Sequence, residues 1–511
     1  MRNITDHRFE DGGFDETIRS VVKNSPWWMT SLVVHVVAAF ILWQIPVATK
    51  RTSRAPTIQS ELAAKPDEPV EDENVEPLPK IDPKEVDLPP TEDEDEVKSD
   101  DSDSPFDEPE GLEGDESGPL TGPSKNTSIG LGPGAGGGRG RGSKGKRRPG
   151  GDSDQTEGAV ELGLKWLADH QDVDEDGKWD ADEFMKHDSA DDRCDGAGGQ
   201  LYDTGVTGLA LLAFLGAGYT DRGSRRENRF AQNVRMGLRY LMASQTEDGV
   251  FGTKATHNFI YNHSIATLAM CEAYWMTRNP RYKKPAQEGL NFLAMARNPY
   301  LAWRYVPRGG MNDTSVTGWC VMALKSGKFA GLEVDPDAFE GARQWIDKMT
   351  DPNFGNVGYD FPGGGPARPE GKQDRFPQDK TESMTAVGIL TRIFLGEDPK
   401  SSKLIRLGAK LCAEKPPVWN PDDGSIDMYY WYYATLGLFQ VGGKDWRKWN
   451  EAMKKAIVGN QHRKGSGRKI GSWDPIGAWG DDGGRVYSTA CMVMCLEVYY
   501  RYDRVFGARS E

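Results

Sequence analysis

Over the C-terminal two thirds of the chain, apolar and polar positions alternate between two kinds of helix. The first kind is amphipathic. Val234, Leu238 and Leu241 share one face, as do Ala338, Ala342, Trp345 and Met349, with charged residues opposite. The second kind is apolar nearly all round and opens with a recurring cassette: a small or polar residue, a Thr, then an unbroken apolar run. It first reads Asp203-Thr204-Gly205-Val206-Thr207-Gly208, running into Leu209–Leu215, and related stretches begin near Asn262, Asp313, Glu382, Asp427 and Val486. Copies lie roughly 50–65 residues apart, the period of a two-helix repeat. Amphipathic helices start near residues 157, 231, 284, 337, 402 and 447, and each is followed by a cassette helix. Asp335-Pro336 supplies a cap and a first-turn proline for one of them. Helices apolar on every side must be buried on every side. Neither the 155–170 stretch nor the 486–502 stretch is polar enough to cap an open array. The pattern therefore predicts a closed all-α double ring of about six outer–inner helical pairs.

The residues between helices carry a further signal. Gly237-Leu238-x-Tyr240-Leu241 leads to Gln245-x-x-Asp248-Gly249-x-Phe251; Gly163-Leu164-x-Trp166-Leu167 leads to Gln171 and Gly177-x-Trp179; Gln461 leads to Gly471-x-Trp473. Glycine permits a tight turn, while the Gln amide and the aromatic ring tie one outer-helix end to the next turn. This resembles the Gln-Trp repeat of the squalene cyclase and protein prenyltransferase superfamily. The resemblance spans roughly 350 residues and implies an (α/α)6 toroid.

The branches of that superfamily imply different chemistry. The cyclase branch uses Asp-x-Asp-Asp-Thr to protonate a polyene. The corresponding stretch here is Gly310-Met311-Asn312-Asp313-Thr314, with Asn312 at the proton donor's place. An amide has no acidic proton to give, so Asp313 reads either as the remaining acid or as a cap for the next helix; Asp427 and Asp482 are the other candidates for a relocated acid. The prenyltransferase branch implies zinc held by Asp, Cys and His. Beyond the N-terminal apolar run the only histidines are His170, His187, His257, His263 and His462. None pairs with Asp and Cys at cassette positions, so no zinc site is recognised. The Gly-Cys-Gly-Glu-Gln stretch of the thioester branch does not occur.

If the cassette starts share one rim, Asp203, His263, Asp313, Glu382, Asp427 and Asp482 ring a common mouth, either as ligand-binding groups or as helix N-caps. Tyr429, Tyr430, Trp431, Tyr432 and Tyr433 cluster on one inner helix; together with Trp319, Tyr429 and Tyr432 are candidate cavity residues, for an apolar or carbohydrate ligand or as core. The Gly/Pro-rich segment from Asp351 to Lys380 is long for a helical domain and is a candidate lid. Asp172-x-Asp174-x-Asp176-Gly177-x-Trp179-Asp180-x-x-Glu183 matches the EF-hand calcium loop at its ligand positions, so Asp172, Asp174, Asp176, Asp180 and Glu183 are candidate calcium ligands. The alternative is a turn enriched in surface acids.

The N-terminal part is different in kind. Residues 1–26 form a short polar tail, and 27–48 an apolar run without Asp, Glu, Lys or Arg, flanked by Trp27, Trp28 and Trp43. It is long enough to cross a bilayer as an uncleaved anchor. Ser31 and His35 lie one turn apart in it. That spacing, followed by a Pro/acid-rich spacer, resembles the TonB-type energy transducers over residues 27–100, and implies an envelope partner and a periplasmic large domain. Residues 49–151 read as a disordered linker, acidic and Pro-rich at first, then Gly-rich with Arg139, Arg141, Lys144, Lys146, Arg147 and Arg148. Residues 152–511 form the repeat domain. The net charge of −15 argues against nucleic acid as a partner. The six cysteines sit in apolar patterns without metal spacing, as buried free thiols do. Two functions follow as expectations: a membrane-anchored toroid that binds an envelope component or apolar small molecule, or a terpenoid-cyclase-like isomerase or lyase.

Overall fold

The computed structural model describes residues 154–223, 228–255 and 258–501, all within one compact unit, 107–511. The apolar run at 27–48, the linker and His257 lie outside the described residues. Among the described residues no helix is long and apolar enough to cross a membrane.

Six apolar helices form the inner layer: α2 (Asp203–Gly216), α4 (Phe259–Thr277), α6 (Thr314–Ala330), α8 (Ser383–Phe394), α10 (Met428–Val441) and α12 (Gly480–Leu496). Six amphipathic helices surround them: α1 (Asp154–Asp169), α3 (Ala231–Ala243), α5 (Pro280–Ala296), α7 (Pro336–Met349), α9 (Lys403–Glu414) and α11 (Gly443–Gly459). A single turn, α13 (Val498–Arg501), follows. Every residue of α8 is buried, whereas α7 buries only the stripe Ala338, Gly341, Ala342, Trp345, Ile346 and Met349. Inner helices pack in succession, α2 on α4, α4 on α6, and so on to α10 on α12, and α12 returns to α2. The ring is closed.

The pairing differs from the sequence order of outer helix then cassette. Four of the first five inner helices pack chiefly on the outer helix that follows them, α6 packs equally on α5 and α7, and α1 pairs with α12. The first helix of the domain therefore completes the last repeat.

The Gln-Trp turns explain how. The Gln171 amide donates to the Gly177 carbonyl in its own turn (2.7 Å) and to Asn233 of the next outer helix (2.9 Å). Gln245 does the same with Gly249 and Pro285. Gln461 bonds Gly471 (2.8 Å) and then Ala159 of α1 (2.8 Å), across the junction between last and first repeats. The indoles of Trp179, Trp303 and Trp473 donate to the carbonyls of Leu167, Leu293 and Ile457 near the end of the preceding outer helix. The cassette threonine is the other half of the device. Thr207, Thr317, Thr385 and Thr489 accept the backbone N–H of Trp179, Trp303, Val357 and Trp473.

Gly471 has φ +100°, and a Cβ there would lie 2.2 Å from the Leu162 carbonyl of α1. The turn and the close approach both exclude a side chain. Gly471→Ala is expected to lower unfolding stability by roughly 2–4 kcal/mol, from left-handed strain plus displaced backbone. Gly459→Ala, at a position with open space, should change it by no more than about 1 kcal/mol. Urea unfolding of both variants checks this; equal effects would contradict the account of closure.

Candidate functional site

With the cassettes aligned on the threonine that bonds the preceding turn (Thr207, Thr317, Thr385 and Thr489, replaced by His263 and Trp431), that residue is the fifth, and the third is Gly205, Tyr261, Ser315, Ser383, Tyr429 or Tyr487. Ser315 of α6 and Tyr429 of α10 share a hydroxyl–hydroxyl hydrogen bond of 2.7 Å, reaching past α8, which stands between them in the ring. One turn deeper, Trp319 of α6 stacks on Tyr432 of α10 (centroids 5.7 Å apart, planes 14° apart) and meets Tyr433 edge-on at 5.4 Å. All three rings are buried. Trp319 and Tyr432, expected to line a cavity, are buried in this contact inside the ring, and Tyr429 above them is half-buried.

At the mouth sits Asp313. Its Oδ1 accepts the Val316 N–H at 2.7 Å and caps α6. Its Oδ2 is buried without a hydrogen-bond partner among the described residues, and the nearest cation, Arg304 Nε, lies 3.9 Å away. Burial, the largest influence, pushes the carboxyl up to about 7, against the opposing pull of the Val316 N–H and Arg304. The hydroxyls of Tyr305 and Tyr359 bond one another beside it, and Arg304 lies over both rings at 5.5 and 5.4 Å. Burial, then the charge on Asp313, holds Tyr261 and Tyr359 well above the ordinary tyrosine value, so they act as neutral hydroxyl donors. Asn312, at the cyclase acid's place, is spent on the backbone: its Oδ1 accepts from Ala302 N–H and Asn298 Nδ2, both at 3.0 Å.

The other expected rim residues do not share one register. Asp203 Oδ1 accepts the Ala181 N–H at 3.0 Å and its Oδ2 meets Lys178 at 2.8 Å. His263 stands where four other repeats carry the cassette threonine. Its Nδ1 accepts the Phe251 N–H at 3.1 Å and its Nε2–H donates to the Gly289 carbonyl at 3.1 Å, with burial depressing its pKa to about 4. A neutral imidazole with both nitrogens engaged is a fastener of the second repeat. Asp427 caps α10 through Tyr430 N–H and pairs with Arg368 Nη2 at 3.2 Å, both side chains buried. Asp482 is half-buried at the start of α12, its carbonyl accepting from Gly199 N–H. Of the three candidate acids, Asp313 alone combines burial, a raised pKa and an unpartnered oxygen.

The calcium-loop spacing does not bring its carboxylates together. Asp172 turns inward to Lys186 (2.7 Å) and His187 (2.6 Å). Asp180 takes the N–H groups of Asp182 and Glu183, and Lys178 at 3.0 Å. Asp176 accepts from Lys178 N–H, and Asp174, Asp176 and Glu183 are exposed. Lys178 and Lys186 thus pair with Asp180 and Asp172, and the loop also carries the Gln171 and Trp179 bonds of a Gln-Trp turn.

The segment 351–380 crosses the mouth. It is tied to the third repeat by Arg304–Asp360 (3.2 Å), to the fifth by Arg368–Asp427 and to the sixth by Lys372–Asp481 (2.6 Å). Beside it opens a cleft of about 380 Å³, walled by Phe354, Gly363–Gly365, Thr381, Glu382, Ser383 and Lys415. Glu382 holds Lys415 at 2.6 Å and accepts from Thr385 at 3.0 Å, and the Thr381 and Ser383 hydroxyls are buried without hydrogen-bond partners among the described residues. Sequence reasoning missed Tyr261, Ser315, Tyr305, Tyr359 and Tyr487. The recurring third cassette position was the signal that would have found three of them.

No protein-family model and no curated protein matches this sequence. Similar solved structures include an inactive α-1,6-mannanase variant, GH76A of Salegentibacter sp. HEL1_6, with α-1,6-mannotriose (13% identity, 68% of this chain, 99% of that chain, TM-score 0.44). They also include the apo type II terpene cyclase MstE from Scytonema (11%, 68%, 97%, 0.41) and cellobiose 2-epimerase from Bacillus thermoamylovorans B4167 (14%, 68%, 98%, 0.45).

The raised pKa of Asp313 has a consequence for stability. The folded protein holds that proton more tightly than the unfolded chain, so the contribution is fully present below pH about 4 and lost as pH rises through about 7. Asp313→Asn keeps a good N-cap and removes the titration. At pH 8 it is expected to be more stable than the parent, by at most about 4 kcal/mol, with the two converging near pH 4. Thermal unfolding across that range checks it; a variant less stable at pH 8 would contradict the assignment.

Proposed function

We propose that the chain is a toroid that binds a polar, hydroxyl-bearing ligand at its strapped rim, and that it does not cyclise a polyene. The observation that carries this is the aromatic contact between α6 and α10, Trp319 on Tyr432 and Tyr433, which takes up space inside the ring that an apolar chain would use. The cleft at the rim mixes polar groups with apolar ones such as Phe354, Val357 and Leu411. Thr381, Ser383, Glu382 and Lys415 offer hydroxyl, carboxylate and ammonium groups beside the exposed ring of Phe354, a combination that suits the hydroxyls and flat faces of a saccharide. In this reading the apolar run at 27–48 tethers the domain to a membrane, and the linker presents it to an envelope component, on the periplasmic side.

A second reading has its own observation. A carboxyl near 7 with a free oxygen is matched to proton transfer at neutral pH. It is too weak an acid to protonate an alkene, and fits instead a reaction at a C–O or carbonyl group. Binding and turnover then share one mouth, with Asp313 as the group that exchanges the proton.

The test uses the full-length protein in detergent with maltotriose, cellotriose and chitotriose, followed by calorimetry and product analysis, and with lipid extraction of the purified protein. Saturable binding to at least one sugar, weakened about tenfold or more by Glu382→Gln with Ser383→Val (roughly 1.4 kcal/mol or more), supports the rim site. Turnover that disappears in Asp313→Asn while binding persists would assign the second reading. A co-purifying isoprenoid converted to a cyclic product would overturn both.

A further inference from the structure

A cluster outside the mouth draws on three segments. His170 ends the turn after α1, Asp188 follows the 3-10 turn Phe184–His187, and Cys194 lies in the loop before α2. His170 Nδ1 is 2.7 Å from the Trp166 carbonyl. A carbonyl only accepts, so Nδ1 carries the proton, and in the neutral ring Nε2 presents a bare lone pair. That lone pair faces Asp188 Oδ1 at 3.0 Å and Cys194 Sγ at 3.7 Å. The charge of Arg468, whose Nε donates to the same Asp188 oxygen at 2.7 Å, sits beside this pair. The three ligand atoms lie within 4.8 Å of one another, and the imidazole, carboxylate and thiol side chains are all buried.

We propose that His170, Asp188 and Cys194 bind a divalent metal ion, best matched to zinc. Zinc bonds of about 2.0–2.3 Å at tetrahedral angles place ligand atoms roughly 3.3–3.6 Å apart, and the observed 3.0 and 3.7 Å bracket that range. A thiolate with an imidazole selects zinc over magnesium or calcium. The Nδ1–H bond to a carbonyl is the arrangement that orients a metal-bound histidine. Binding displaces the Cys194 proton to solvent and leaves the fourth coordination position to water or an added ligand. The set lies away from the cassettes, beside the junction that closes the ring. Arg468 of the last repeat donates from Nε to Asp188 Oδ1 (2.7 Å) and from Nη2 to the His187 carbonyl (3.2 Å), and its own carbonyl accepts from Trp166 Nε1 (3.0 Å). A metal here would staple the 184–195 segment to α1 and so brace first repeat against last.

The full-length protein, purified without chelator, should retain about one zinc per chain after extensive desalting. Its cobalt-substituted form should show a sulfur-to-cobalt charge-transfer band. That band should vanish in Cys194→Ala and persist in Cys271→Ala, whose thiol is buried elsewhere. Chelation should lower the melting temperature of the parent by several degrees and leave Cys194→Ala unmoved. A folded, helical parent with neither retained metal nor a cobalt band overturns the proposal, and that measurement needs no variant. A band that survives in Cys194→Ala overturns the ligand set.

Discussion

Helices without a polar face impose the constraint on which everything else rests: each must be shielded on all sides, and an open row of them would leave both end helices wet. The Gln461 amide is where the constraint is met. By bonding its own turn and the Ala159 carbonyl 302 positions earlier in the chain, it makes α1 the missing outer helix of the sixth repeat. Buried amide bonds of this kind contribute modestly when made and cost considerably when one partner is lost. The same three parts meet again in the first repeat as Gln171, Trp179 and Thr207, and the second to fourth repeats keep one or two of them. The second repeat substitutes His263 for threonine without loss of the bond, because a neutral imidazole nitrogen accepts an N–H as a hydroxyl does.

Closure fixes the geometry of the mouth. Because the inner helices are pinned by their first turns, side chains at matching cassette positions approach one another, and Ser315 and Tyr429 meet past α8. Beneath them Trp319, Tyr432 and Tyr433 pack α6 on α10. Ring stacking between these helices contributes packing energy.

The architecture was legible because it is written locally and repeatedly. A 3.6-residue stripe, a helix apolar all round and a Gln…Gly-x-Trp turn each report on neighbours a few residues or one repeat away. The mouth was only partly legible. Asp313 was visible as a cap, but its unpartnered Oδ2 depends on Tyr359 and Arg304 arriving from other segments. Of the tyrosines at the third cassette position, Tyr261 and Tyr487 were overlooked in favour of the acids at the first. The acidic loop is the complementary case: alternate carboxylates carry the spacing of a calcium site, yet the lysine and histidine that bond Asp172 come 14 and 15 residues later. His170, Asp188 and Cys194 have no sequence spacing that announces them, since only the fold brings them together.

The segment over the mouth is fastened unevenly. At one point Arg368 and Asp427 are almost wholly enclosed, 2% and 3% exposed, whereas at another Lys372 meets an Asp481 that is 75% exposed. Dissolved ions weaken the outer fastening far more than the inner one. Rising ionic strength therefore loosens the segment first at its Asp481 contact, while the enclosed Asp427 contact holds.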